Sequence, residues 1–145
     1  MPATFFPEGM PLPAPQPDGV DAPFWEACRR HELTVQRCSD CGAFRHPPEA
    51  ICHHCLSFNS VWEPVIGRGS VYSHMNVVYP SHPALRDRVP YNVILVELAG
   101  PSGVRMVGNL VDCPYPEIRI GMPVEVVFED HPEADVTLPL WRPSR

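Results

Sequence analysis

Six cysteines, seven histidines and eleven arginines carry the strongest chemistry in this 145-residue chain. Cys38 and Cys41 form one Cys-x2-Cys pair, and Cys52 and Cys55 form a second after ten intervening residues. Each such knuckle turns two thiolates toward one point, so the two together have the spacing of a tetrahedral Zn2+ site. Sulfur then fills all four positions and leaves none for water or substrate. One Zn2+ per chain is the expected cofactor, and its role is structural closure rather than Lewis-acid chemistry. His53 and His54 lie inside the second knuckle and are expected at its surface rather than as ligands. Cys28 and Cys113 remain as reduced thiols, because Cys-x2-Cys pairs in a chain whose first 20 residues lack a basic start and an apolar core point to metal rather than disulfides.

The other reactive residues do not assemble into a catalytic pattern. There is no nucleophile motif, no glycine-rich phosphate loop and no Ser/His/Asp or Cys/His arrangement in the sequence. His74 with Asn76, and Cys113 after Asp112, come nearest, and each reads more simply as a barrel or loop residue. No residue is assigned a catalytic role. The balance of 11 basic against 17 acidic residues gives a net charge of -6. Seven acids face the single base Arg119 between Asp112 and Asp135, so nucleic acid is not the expected partner. No apolar run approaches the roughly 18 residues of a membrane span, which gives the expectation of a cytoplasmic protein without membrane contact. All eleven basic residues are arginine, a bias that codon usage explains as readily as phosphate recognition.

The elements that must hold the cysteines follow from local pattern. Residues 1 to 20 contain six of the 20 prolines and read as an extended arm. Asp21 is placed to cap a short helix with Pro23 in its first turn and Phe24, Trp25 and Cys28 on one side, ending near His31. The adjacent aromatics Phe24 and Trp25 require burial, either on the chain's own ribbon or in a partner interface. Leu33, Val35 and Arg37 begin a strand that delivers Cys38, residues Gly42 to Pro48 make a turn, and Ile51 leads into the second knuckle.

After Val61 to Val65 the texture becomes that of a small β-barrel, with strands over Gly69 to Tyr79, Tyr91 to Leu98, Val104 to Val111 and Val124 to Glu129. Alternation places Val104, Met106, Gly108 and Leu110 on one face, and Val124, Val126 and Phe128 inward. The opposite face carries Arg105, Val107, Asn109 and Val127, a mixture that another chain could cover. Gly100 to Gly103 closes a hairpin, and the tail around Val136 to Trp141 is needed to supply or cover the last edge of an OB-like barrel. The polar loop from Pro80 to Pro90, with His82, Arg86, Asp87 and Arg88, is the best candidate for ligand or partner contact. The fold is mainly β, divided as an arm and short helix (1–35), a rubredoxin-like zinc ribbon (36–60) and an OB-fold domain (61–145).

In order along the chain, PFWEACRRHEL, QRCSDCGAFRHPPEAICHHC, GRGSVYSHMNVV, YNVILVEL and IRIGMPVEVVFED resemble the zinc-ribbon/OB-fold family of acyl-CoA-associated proteins over residues 21 to 130. The resemblance implies an accessory subunit bound to a thiolase-fold enzyme, such as a thiolase, an acyltransferase or a side-chain-cleaving aldolase, with the catalytic residues on that partner. It also implies a part in shaping the passage for the pantetheine arm, and the adjacent aromatics Phe24 and Trp25, as anchors on a short amphipathic helix, are the expected partner contacts. Two other readings compete. A stand-alone acyl-CoA carrier would grip the ester in the cleft between ribbon and barrel while Arg68, Arg86, Arg88 or Arg105 meets the CoA phosphates, which requires those arginines to cluster. A single-strand nucleic-acid module has the aromatics but the wrong charge.

Overall fold

The computed structural model describes Phe5, residues 10–12 and 14–16, and residues 19–145. Helix α1 (Ala22–Arg29) is followed by a three-stranded sheet of β1 (Leu33–Cys38), β2 (Phe44–Arg45) and β3 (Ser60–Val65), in the order β2-β1-β3. A second sheet contains β4 (Arg68–Val77), β5 (Tyr91–Leu98), β6 (Arg105–Gly108), β7 (Pro123–His131) and β8 (Val136–Pro143), in the order β6-β5-β4-β7-β8. Leu110 and Trp141 form a parallel bridge between the continuation of β6 and β8. Trp141 donates to the Asn109 carbonyl and accepts from Val111, so the sheet curls into a nearly closed OB-like barrel. The C-terminal tail is therefore a full strand, paired with β7 from Val136 to Pro143.

Several local expectations change once long-range pairing is included. The turn between the knuckles contains β2, because reversal at the first knuckle lays Phe44 and Arg45 beside Arg37 and Gln36. Residues 60–65 belong to the ribbon sheet, where β3 pairs with β1 from Ser60 opposite Cys38 to Val65 opposite Leu33. Asp21 does not cap α1 through its side chain; a 3-10 turn over Gly19–Asp21 precedes the helix. Its carboxylate instead accepts from Trp25 Nε1 at 3.3 Å. The expected arm over residues 1–20 lies largely outside the described residues. Within it, the Phe5 amide donates to Glu129 at 2.9 Å, and its carbonyl accepts from Arg88 at 2.8 Å.

One apolar core runs through the helix, ribbon and barrel. Phe24 and Cys28 from α1, and Leu33 and Val35 from β1, join Val71, Ile94, Val96, Met106, Leu110, Val124 and Trp141. The alternation expected on β6 is present, since Val104, Met106 and Leu110 are buried while Arg105 and Val107 are exposed. Gly108 sits on the same inner face for a steric reason: a Cβ there would lie 2.7 Å from the Trp141 ring. Polar contacts pin the far end of α1, where His31 stacks on Phe128 and meets Asp130 at 2.9 Å, and Arg29 meets Asp135 at 2.9 Å.

Phe24 is 5% exposed, so Phe24→Ala is expected to destabilise the chain by about 3–5 kcal/mol in urea unfolding. Gly108→Ala forces the Trp141 ring aside and is expected to cost about 1–3 kcal/mol. A loss below about 1 kcal/mol for Phe24→Ala would show that α1 does not contribute to the common core.

Candidate metal centre and surrounding surfaces

The two knuckles repeat one backbone design. The Gly42 amide donates to the Cys38 carbonyl at 3.0 Å, and the Leu56 amide donates to the Cys52 carbonyl at 3.0 Å. Cys38 and Cys52 in turn donate to the Ala43 and Ser57 carbonyls at 2.9 Å. Both turns need a left-handed residue after their second cysteine, supplied by Gly42 (φ 77°) and by Leu56 (φ 64°). Asp40 ties the knuckles together through hydrogen bonds from Ser57 and Asn59.

This framework brings the four sulfurs within 4.8 Å of one another. Cys38 and Cys55 are 3.5 Å apart, and Cys41 and Cys52 are 3.6 Å apart. A Zn2+ with Zn–S bonds of about 2.3 Å requires tetrahedral edges near 3.8 Å, so the cluster fits zinc. The surrounding amides favour thiolates at two positions. The Cys41 amide holds the Cys38 thiol down at about 6 against the opposing effect of burial. Amides of Cys55 and His54 lower Cys52. At Cys55 the Ser57 amide favours the thiolate, but burial and the neighbouring sulfurs outweigh it and leave that thiol at about 12. The metal supplies the positive charge that lets all four ionise together. His53 and His54 are exposed beside the cluster and are not among its four ligands.

The remaining residues of interest are scattered. Arg68 stands at the start of β4, and Arg105 lies near it across β5, paired with Glu97 at 3.2 Å and stacked 3.8 Å over Tyr72. Arg86 and Arg88 lie on the loop beyond the other end of β4, a ten-residue strand about 30 Å long. The four arginines thus fall in two groups, at opposite ends of β4. His82 turns inward locally, and its Nδ1 accepts from the Ala84 amide at 3.2 Å. Phe24 and Trp25 also separate: Phe24 is in the core, so the interface expectation rests on Trp25, which remains half-buried.

Arg88, Cys113 and Tyr115 line a cavity of about 560 Å³ at one end of the barrel. Burial raises the Cys113 thiol, whose hydrogen bond goes to the Pro114 carbonyl. His74 packs edge-on against Tyr115, and its Nδ1 is buried without a partner. Sequence reasoning invoked a cleft between ribbon and barrel but missed its lining, which is Trp25, Pro47 and Pro48 on one side and Val107, Leu138 and Pro139 on the other around about 420 Å³. It also missed the burial of Arg45. Both depend on how the ribbon docks on the barrel. Among the described residues, no helix is long and apolar enough to cross a membrane.

A ribbon closed by four sulfurs and fused through a common core to an OB barrel defines a class of zinc-ribbon/OB-fold proteins. The chain belongs to the DUF35 family, in its ChsH2 form. The family model for the ChsH2 rubredoxin-like zinc ribbon domain matches residues 25–61, and that for the ChsH2 C-terminal OB-fold domain matches residues 62–129. A DUF35 domain-containing scaffold protein of Methanocaldococcus jannaschii is 34% identical over 100 residues, covering 68% of this chain and 69% of the relative. A probable enoyl-CoA hydratase alpha subunit of Thermomonospora curvata is 45% identical over 129 residues, covering 86% of this chain but only 38% of the longer protein. A solved chain described as Ltp2-ChsH2(DUF35) aldolase is 40% identical with a TM-score of 0.78, covering 90% of this chain and 98% of that one.

Metal analysis is expected to return about one zinc per chain. Cys52→Ser should release the metal and unfold the ribbon. Because each ligand must lose its proton, zinc affinity should fall as pH drops from 7 toward 5, which a chromophoric chelator can follow. A folded, zinc-free ribbon with Cys38 oxidised to another cysteine would contradict this assignment.

Proposed function

We propose that this chain is a noncatalytic accessory subunit that binds and organises a thiolase-fold enzyme acting on acyl-CoA thioesters. The observation that carries the reading is an apolar wall on the outside of the barrel. Met75 is 57% exposed and Val107 71% exposed, and Tyr72 flanks them under the guanidinium of Arg105. Val93 and Leu95 continue this face between them, opposite Met75 and Val107 respectively in the strand register. Val107 also borders the cleft whose far side carries Trp25. Wall and cleft thus make one surface with an aromatic at its edge, the composition expected where a partner excludes water.

The metal supports the same reading, since a four-sulfur site leaves no coordination position for substrate. The relatives add a separate line of support: one is described as a scaffold, one as a hydratase subunit and one as part of an aldolase. On this reading the partner carries the reaction, while the barrel end beside the docking wall helps shape the pantetheine passage. The acyl substrate is chosen by the partner.

Assays of the chain and its partner, first separately and then mixed, with a panel of acyl-CoA and 3-hydroxyacyl-CoA esters should show turnover only when the partner is present. Activity or solubility of the partner should rise on mixing. Trp25→Ala should weaken association by on the order of 2 kcal/mol while the free chain stays folded. Turnover by the small chain alone that disappears on changing His74 or Cys113 would overturn the proposal.

A further inference from the structure

Arg45 is only 5% exposed, and its guanidinium is held by neutral groups. Nε donates to Gln36 Oε1 at 2.8 Å and to the Glu49 carbonyl at 3.2 Å, while Nη2 donates to the same carbonyl at 3.0 Å. These bonds explain one side of the side chain, which fastens the turn between the knuckles to β1. They leave the other side unexplained. Nη1 is buried without an acceptor, and no carboxylate among the described residues forms an ion pair with Arg45. A buried cation without a counter-charge carries a desolvation cost that neutral acceptors only partly offset.

Arg45 lines a cleft of about 390 Å³ between the ribbon and the barrel turn at Ser102 and Gly103. Arg45 has the only fixed positive charge in the lining. Burial lowers His46 to about 4, so its ring is neutral near pH 7 and adds no counter-charge of either sign. The Ser102 side chain and the exposed Gly103 backbone form the opposing wall. Nη1 and the second N–H of Nη2 make a forked edge suited to two oxygens of one carboxylate or phosphate. Glu49 lies on the same cleft and opposes any anion there.

We propose that this cleft is an oxyanion site in which Arg45, between the zinc ribbon and the barrel turn, receives a carboxylate or phosphate group. The group could come from an acidic side chain of a bound protein or from a phosphate-bearing small molecule. The site does not depend on the partner assignment, because its cation and cleft both belong to this chain.

The test is an NMR titration of the zinc-loaded full chain with sodium phosphate or sodium acetate against sodium chloride at constant ionic strength. It follows the Arg45 Nε–H and Gly103 amide signals. Saturable shifts that chloride does not reproduce are expected, with Arg45→Met weakening the response at least about tenfold and Glu49→Gln strengthening it. Preference for phosphate assigns a phosphate source, and preference for acetate assigns a carboxylate source. Shifts no larger than those with chloride would overturn the proposal, as would an unchanged Gly103 response in a folded, zinc-loaded Arg45→Met variant. If that variant does not fold, the wild-type titration decides.

Discussion

Four sulfurs within 4.8 Å of one another cannot all carry charge unless a cation lies between them. The ribbon depends on that constraint because its two knuckles contribute few apolar side chains of their own, so metal binding and local folding are one event. With the knuckles closed, β1 is fixed at Cys38 and β3 can pair along its length. Leu33 and Val35 then face the barrel and meet Phe24 and Cys28 from the helix. The metal thereby acts at a distance: it holds the strand on which the common core is assembled.

The same packing sets which side chains reach the surface. The helix packs on β8 through its buried aromatic, while His31–Asp130 ties the residues after it to β7 and Arg29–Asp135 ties its last turn to the turn before β8, which leaves Trp25 at the lip of a cleft. The nearly closed barrel packs its centre with Trp141, Ile94 and Val96, and its open space lies at one end, in the cavity of about 560 Å³ beside Cys113 and Tyr115. Its outer face presents Met75 and Val107 to solvent. Exposed apolar area of this kind beside a half-buried aromatic is the usual composition of a contact surface.

The sequence was most legible where chemistry and spacing are local. Four cysteines at knuckle spacing identify the metal site, and alternation along 104–110 identifies the inner face of β6 with its correct parity. The last strand was legible only as a requirement, because Val136 to Trp141 has mixed apolar and proline character until β7 pairs with it. Long-range packing decided the rest. Nothing in adjacent Phe24 and Trp25 tells which one enters the core, and a helix cap at Asp21 is locally favourable until Trp25 claims its carboxylate. Likewise, arginines that look equivalent in sequence fall at opposite ends of β4, while Arg45 becomes buried because β2 folds back beside Gln36.

A metal fully enclosed by sulfur has no position for a substrate atom. X-ray absorption at the zinc edge tests this directly in the purified chain, with and without an acyl-CoA ester. Four sulfur scatterers at about 2.3 Å, unchanged by the ester, are the predicted result. An oxygen or nitrogen scatterer in the first coordination sphere, or one that appears on adding the ester, would contradict a closed structural site and return the metal to the reaction.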